Sequence, residues 1–172
     1  MLWQAAAEAG PGVDVTHPEL TASFAAPPRA VDGNGDGLAE RLYALDVVGR
    51  LWRFDVGATG SSVRLIARPE DARDARRFHA APDVIPLRDA RGVRLALAFG
   101  SGWAERPMSA GVEDRFYVVF DDVGAGDTDT APPPLSEDDL TDVTEGAPPP
   151  AGARGWFLRL DRHGPGEKTW GA

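Results

Sequence analysis

The chain has 172 residues, with 27 acidic against 18 basic side chains, 20 glycines, 15 prolines and a formal net charge of -9. This acidity argues against nucleic-acid binding, which needs a basic surface, and the absence of cysteine excludes disulfides, cysteine-ligated zinc and thiol catalysis. No apolar run reaches the length of a membrane span. The length suits one domain, and residues 1–172 are assigned to a part of one such domain.

Short β-strands are predicted along most of the chain. Apolar and polar residues alternate in runs that are bounded by glycine, proline, asparagine and aspartate. The predicted strands are 28–31, 42–46, 51–56, 62–67, 77–85, 93–99, 115–120, 156–160 and 168–170. This pattern predicts an all-β fold.

A weak internal repeat suggests how the strands are arranged. Segment 40–46 and segment 114–121 both run from an acid and an arginine through an apolar residue and a tyrosine to an aspartate. Such echoes are typical of β-propellers, whose antiparallel blades take about 40–45 residues in the WD type. Together with the loop and the insertion described below, this repeat predicts a partial β-propeller with a calcium-binding loop and a short helical insertion.

The loop lies in segment 32–40, where oxygen-bearing side chains occupy the first, third, fifth and ninth positions. These side chains are Asp32, Asn34, Asp36 and Glu40, and Leu38 at the seventh position would offer its backbone carbonyl. Gly37 at the sixth position permits a sharp bend. The spacing is typical of a loop that binds Ca²⁺ through oxygen ligands. The alternative is a plain Asp/Asn/Gly turn that needs no metal.

A hairpin, rather than a helix, is predicted after this loop. Tyr43 stands at the twelfth position, where a helix-flanked calcium loop carries a bidentate glutamate. The next two strands are joined by the tight connection 47–49. In the first of them, Leu42 and Ala44 share one face, and Tyr43 and Leu45 share the other.

Two segments do not fit strands. Segment 128–153 is rich in proline and acid and is predicted to be a surface insertion. Within it, Ser136 is the expected N-cap of a short helix with acids in its first turn. Segment 69–76 is charged and is predicted to form a loop or a helical turn.

The remaining candidate residues favour structural roles. Trp52 and Trp156 lie in apolar alternation and are expected in the core, whereas Trp103 follows Gly-Ser-Gly and is a candidate for the surface. The three histidines have no paired spacing. Ser101 lacks the full Gly-x-Ser-x-Gly pattern of a nucleophile turn, so no catalytic residue is predicted. Acids at strand ends, such as Asp121, are expected to cap turns.

Segment 31–55 resembles the calcium loop and following hairpin of PilY-type type IV pilus adhesins; it reads VDGNGDGLAERLYALDVVGRLWRFD. Weaker similarities follow in order and cover most of the chain, at 77–84, 99–102, 114–117, 135–144 and 155–160. The resemblance implies a C-terminal β-propeller of a large secreted protein. It also implies Ca²⁺ ligands at Asp32, Asn34, Asp36, the Leu38 carbonyl and Glu40, although the family usually has Asp at the ninth position.

The same resemblance implies a location and partners. The expected location is the pilus tip, the cell surface or the outer membrane and periplasm of a Gram-negative bacterium. Expected partners are type IV pilus components such as minor pilins, and a host or abiotic surface. The implied function is pilus biogenesis, adhesion, twitching motility and calcium control of pilus retraction. Residues 1–8 lack the basic and apolar regions of a signal peptide, so none is predicted in this chain.

Two alternatives share these features. A quinoprotein-like propeller enzyme also combines blades, tryptophans and calcium. It would need a cofactor pocket, and many such enzymes use a vicinal cysteine pair, which this chain lacks. A purely structural repeat module would use calcium only as a staple. We expect a non-enzymatic module.

Overall fold

The computed structural model describes residues 3–57, 60–69, 76–89, 92–122 and 132–169, and these residues are almost entirely in strands and turns. The strands are β1 (Ala5–Ala6), β2 (Val15–Thr16), β3 (Arg29–Val31), β4 (Arg41–Leu45), β5 (Leu51–Gly57), β6 (Gly60–Arg68), β7 (Asp83–Asp89), β8 (Gly92–Gly100), β9 (Arg115–Asp122), β10 (Leu135–Ser136), β11 (Thr141–Asp142) and β12 (Gly155–Arg159). A single 3-10 turn spans Glu137–Asp139 in this part of the chain. None of the described segments is a helix with the length and apolarity needed to cross a bilayer.

Seven of the predicted strands are confirmed to within two residues at each end, as β3 to β6, β8, β9 and β12. The predicted strand 77–85 is wrong over its first six residues, because β7 begins only at Asp83. Residues 76–82 are irregular, and they bury the Phe78 ring in the core. The predicted strand 168–170 is wrong at its first two residues. Its last residue lies outside the described residues, as does most of the predicted loop 69–76.

Two five-stranded sheets make up most of the fold. The first has the order β10-β6-β5-β4-β3, and the second has the order β11-β12-β9-β8-β7. Four strands of each sheet are antiparallel, and a strand of two residues adds to one edge in parallel. Each sheet therefore contains the four-stranded antiparallel unit of a propeller blade. The two sheets do not close into a ring within the described residues.

The main core lies between the two sheets. Tyr43 and Leu45 of β4 point into it, as the alternation of the predicted hairpin requires. From the second sheet, Phe99 and Tyr117 stack with ring centroids 5.3 Å apart. Burial of these aromatic and aliphatic side chains is the dominant favourable term that holds the sheets together.

The opposite face of the first sheet is covered by the N-terminal segment. Ala44, Trp52 and Phe54 lie on this face, and Trp3 packs edge-on against Phe54 with ring centroids 5.6 Å apart. The Trp52 side chain is fully buried, and its indole N–H donates to the Asp46 carboxylate at 3.1 Å. The predicted core role of Trp52 is thus confirmed.

The described part of the insertion joins the two sheets at their outer edges. Its β10 pairs with β6 of the first sheet, and its β11 pairs with β12 of the second. Between them, both the backbone N–H and the hydroxyl of Ser136 donate to the Asp139 carboxylate at 2.8 Å, so the predicted short helix is one 3-10 turn. Most of residues 132–153 are exposed, but Leu135 and Leu140 are buried. The segment therefore links the two sheets, with Leu135 and Leu140 as its buried apolar anchors.

Candidate metal centre

The predicted cation loop connects β3 to β4 at one edge of the first sheet. Gly35 and Gly37 have φ angles of +80° and +89°, a left-handed conformation that residues with a side chain rarely adopt. These two turns bring the oxygens of the loop towards a common point. The glycines at these positions are therefore required by the path of the backbone.

Three carboxylates converge inside the loop. One oxygen from each of Asp32, Asp36 and Glu40 lies within 4.8 Å of the others. Oxygens on opposite sides of a Ca²⁺ ion stand about 4.6–5.2 Å apart, since each Ca–O bond is about 2.3–2.6 Å. The spacing of these three carboxylates therefore fits a calcium-sized cation.

Backbone amides hold Asp32 in place. Its Oδ1 accepts from the Gly35 N–H at 2.6 Å, and its Oδ2 accepts from the Gly37 N–H at 2.8 Å. These bonds, of which the one from Gly37 has the largest effect, lower the pKa of the Asp32 carboxyl below its ordinary value. Asp32 is consequently an ionised and well-oriented oxygen donor.

Asn34 lies among the carboxylates, but its amide presents nitrogen to them. Nδ2 of Asn34 donates to Asp36 at 3.1 Å and to Glu40 at 2.9 Å, while Oδ1 accepts from the Asp36 N–H at 2.8 Å. The NH₂ group thus neutralises part of the repulsion between the two acids. Calcium binding requires this amide to turn so that Oδ1 faces the ion.

The other predicted ligand positions, Leu38 and Glu40, lie in the second half of the loop. The Leu38 side chain is 71 % exposed, and its backbone N–H donates to Asp36 at 2.8 Å. Glu40 accepts from the Gly33 N–H at 2.7 Å, which fixes one of its two oxygens. Tyr43 points away from the loop into the core, so it contributes nothing to a cation shell.

The loop also borders an apolar cavity of about 370 Å³ between β3 and β7. Val31, Val84 and Leu95 line the cavity together with Asp32 and Glu40 of the loop. A change in the charge or order of the loop would therefore alter the wall of this cavity.

Sequence reasoning missed a buried ionic cluster between the sheets. Asp121, expected to cap a turn, lies inside β9 and is 4 % exposed. Its carboxylate accepts from the Tyr43 hydroxyl at 2.5 Å, from Arg53 at 3.3 Å and from Arg64 at 3.2 Å. Arg53 also pairs with Asp55 at 2.8 Å. The alternation of β5 places Arg53 and Asp55 on the core-facing side. Two charged residues on that side were the sequence feature that could have indicated a buried ionic cluster.

The other residues singled out from the sequence have structural surroundings. Ser101 is fully buried and donates to the buried Asp114 carboxylate at 2.7 Å. Trp103 is partly buried beside two arginines. Trp156 is wrongly predicted as core, because it lies on the outer side of the second sheet against Phe116. Among the described residues, no histidine joins a metal-sized group of acids.

Comparisons with known proteins bear on this fold. A scan against protein-family models and a search of curated proteins gave no match. The crystal structure of the Pseudomonas aeruginosa PilY1 C-terminal domain is similar, with a TM-score of 0.57 and 20 % sequence identity over 77 % of this chain. The matched region covers 38 % of the PilY1 chain.

This similarity concerns the fold. It confirms the predicted all-β, propeller-like architecture and the resemblance to a PilY-type domain at the level of structure. Because this chain matches well under half of the PilY1 chain, activity and partners are matters for proposal.

Proposed function

We propose that this chain is part of a calcium-binding, propeller-like module in a type IV pilus-associated surface protein. The module is non-enzymatic, lies outside the cytoplasm at the cell surface or pilus, and supports pilus biogenesis, adhesion and twitching motility. Its partners are pilus components such as minor pilins, and the surface to which the cell attaches. The ion is Ca²⁺, held by Asp32, Asn34, Asp36, the Leu38 carbonyl and Glu40.

The convergence of three carboxylates in a glycine-bent loop carries this proposal. Without a cation, Asp32, Asp36 and Glu40 repel one another, and the Asn34 NH₂ group offsets only part of that repulsion. A bound Ca²⁺ removes the repulsion and orders the loop. The fold similarity to the PilY1 domain supports the choice of a pilus-associated protein.

Calcium would act by stabilising the ordered loop. An ion that binds only the folded state adds about 2.7 kcal/mol when its concentration is a hundred times its dissociation constant. Because the loop feeds β4 and borders the cavity beside β7, this ordering reaches both sheets. The proposed regulatory role is that calcium biases the loop between ordered and released states and thereby changes a partner contact.

Isothermal titration of the whole chain with CaCl₂ tests the binding step. We expect one site with a dissociation constant near the extracellular class, about 10⁻⁴–10⁻³ M or somewhat tighter. Asp36→Ala should abolish the heat of binding. The control is Asp138→Ala, which removes an exposed carboxylate outside the loop and should leave binding unchanged. Equal calcium uptake by both variants would refute the assignment of the site.

A second experiment separates binding from pilus function. Asp36→Ala and Asp138→Ala are introduced into the chromosomal gene, and pilus extension, retraction and twitching are recorded at equal protein levels. Altered retraction in Asp36→Ala alone supports the regulatory role. Normal retraction in a variant that no longer binds calcium would leave the ion a purely structural staple.

A further inference from the structure

Asn34 is the only asparagine in the sequence, and it is followed by a glycine. The backbone nitrogen after an asparagine can attack the side-chain amide carbon and displace ammonia, and glycine favours this attack because it places no side chain beside the nitrogen. Asn34 and Gly35 are both exposed in the loop between β3 and β4. A Cβ atom at Gly35 would meet no atom within 4 Å beyond its chain neighbours, so nothing packs against this side of the backbone.

Hydrogen bonds of the folded loop contact the atoms that this reaction changes. The Gly35 N–H, whose nitrogen is the attacking atom, donates to Oδ1 of Asp32 at 2.6 Å. Oδ1 of Asn34 accepts from the Asp36 N–H at 2.8 Å, and this oxygen gains negative charge when its carbon is attacked. The first hydrogen bond draws the proton away from the attacking nitrogen, and the second stabilises the developing oxyanion.

We propose that Asn34 is a site of spontaneous deamidation, which the folded loop assists. In the first step, a bond forms between the Gly35 nitrogen and Cγ of Asn34, the Cγ–Nδ2 bond breaks, and the Gly35 proton leaves with Nδ2 as ammonia. A cyclic imide remains. In the second step, water opens the imide at either carbonyl carbon and leaves a carboxylate, as aspartate or as isoaspartate. Overall, water is consumed and ammonia is released, with no oxidation or reduction.

The modification changes the charge and the contacts of the loop. It removes the Asn34 NH₂ group, which donates to Asp36 and Glu40, and it adds a carboxylate beside the three that already converge there. In the aspartate form, the added charge should strengthen binding of a cation. In the isoaspartate form, the extra backbone carbon disturbs the amide contacts of Asp32. These two consequences rest on the proposed function, whereas the deamidation itself does not.

Mass spectrometry of the whole chain, incubated in neutral buffer without divalent cations, tests the modification. The chain should gain the mass difference between a hydroxyl and an amino group, and isoelectric focusing should show one new, more acidic species. Because the only other side-chain amide is that of Gln4, fragmentation spectra can assign the change to Asn34. Asn34→Gln is the matched control, since it keeps an amide but must close a larger ring, and it should show no gain over the same period.

Two comparisons test the contribution of the fold. Asp32→Ala removes the acceptor of the Gly35 N–H and should slow the reaction at least several-fold, with circular dichroism verifying that the variant is folded. A synthetic peptide of residues 31–40 lacks the fold and should also react several-fold more slowly than the native chain. A constant mass of the native chain would overturn the proposal, as would an equal gain in Asn34→Gln. A peptide that reacts as fast as the native chain would overturn the assistance by the loop.

Discussion

Replacement of Tyr43 by phenylalanine isolates one interaction between the two sheets. The Tyr43 ring is fully buried, and its hydroxyl donates to Asp121 at 2.5 Å. Burial, together with the neighbouring Asp121 carboxylate, raises the pKa of the Tyr43 phenol, so the group remains a neutral donor at physiological pH. Tyr43→Phe keeps the ring and removes only this donor.

The size of the effect follows from the charge of the acceptor. A hydrogen bond to an ionised group contributes about 1.5–3 kcal/mol, and Asp121 keeps its contacts with Arg53 and Arg64 in the variant. We therefore expect Tyr43→Phe to lower the free energy of unfolding by about 2 kcal/mol. Asp121→Asn should cost about 3 kcal/mol or more, because it weakens the compensation of the 3 % exposed Arg53 side chain.

Urea unfolding of the two single variants and the double variant forms the assay. The midpoint should fall while the dependence of the unfolding free energy on urea stays constant. Because the two groups touch, their effects should be non-additive by about 1 kcal/mol or more. A loss below about 0.5 kcal/mol for Tyr43→Phe, which is the scale of an ordinary surface substitution, would show that this hydrogen bond does not stabilise the contact between the sheets.

Other predictions concern the turn at Gly49, the buried anchor Leu135 and the loop at 32–40. Gly49→Ala should cost about 2 kcal/mol or more in urea unfolding, since its φ is +87° and the new Cβ would lie 2.4 Å from the Phe78 ring. Gly12→Ala, with φ +79° and only an ordinary contact of 3.9 Å to Oε1 of Gln4, is the control and should cost less. Leu135→Ala should cost about 2–5 kcal/mol in the same assay, because Leu135 is 1 % exposed; a loss below 1 kcal/mol, on the order of a surface effect, would contradict its role as an anchor. The lowered pKa of Asp32 means that its stabilising effect is present above the ordinary value of 3.8 and is lost as pH falls through the lower folded-state value. A carboxyl NMR titration should therefore give a midpoint below 3.8 for Asp32, and a midpoint at or above it would contradict the observed amide contacts.

Local patterns in the sequence were sufficient for most of the fold. Alternation with a period of two located the long strands and the two faces of the β4–β5 hairpin. The glycine and oxygen spacing of segment 32–40 identified the loop in which three carboxylates meet. The pattern failed for the two-residue strands β1, β2, β10 and β11, since a segment of that length has no measurable period. It also failed at 77–82, where an irregular segment places one aromatic ring in the core.

Contacts between distant residues could not be predicted in the same way. Alternation places Arg53 on the buried face, but nothing near it in the sequence identifies Asp121, which is 68 residues away, as its partner. The expectation that Asp121 caps a turn failed for this reason. Similarly, the spacing that marks Asn34 as an oxygen donor does not reveal which way its amide points, because that depends on the hydrogen bonds of the folded loop.

The most direct test of the calcium proposal is a crystal structure of the chain grown with saturating Ca²⁺, with anomalous scattering recorded to identify the ion. We expect a peak at about 2.3–2.6 Å from oxygens of Asp32, Asp36 and Glu40, with the Asn34 amide turned so that its oxygen joins them. A loop without a peak, in which the Asn34 nitrogen still bridges Asp36 and Glu40, would contradict it.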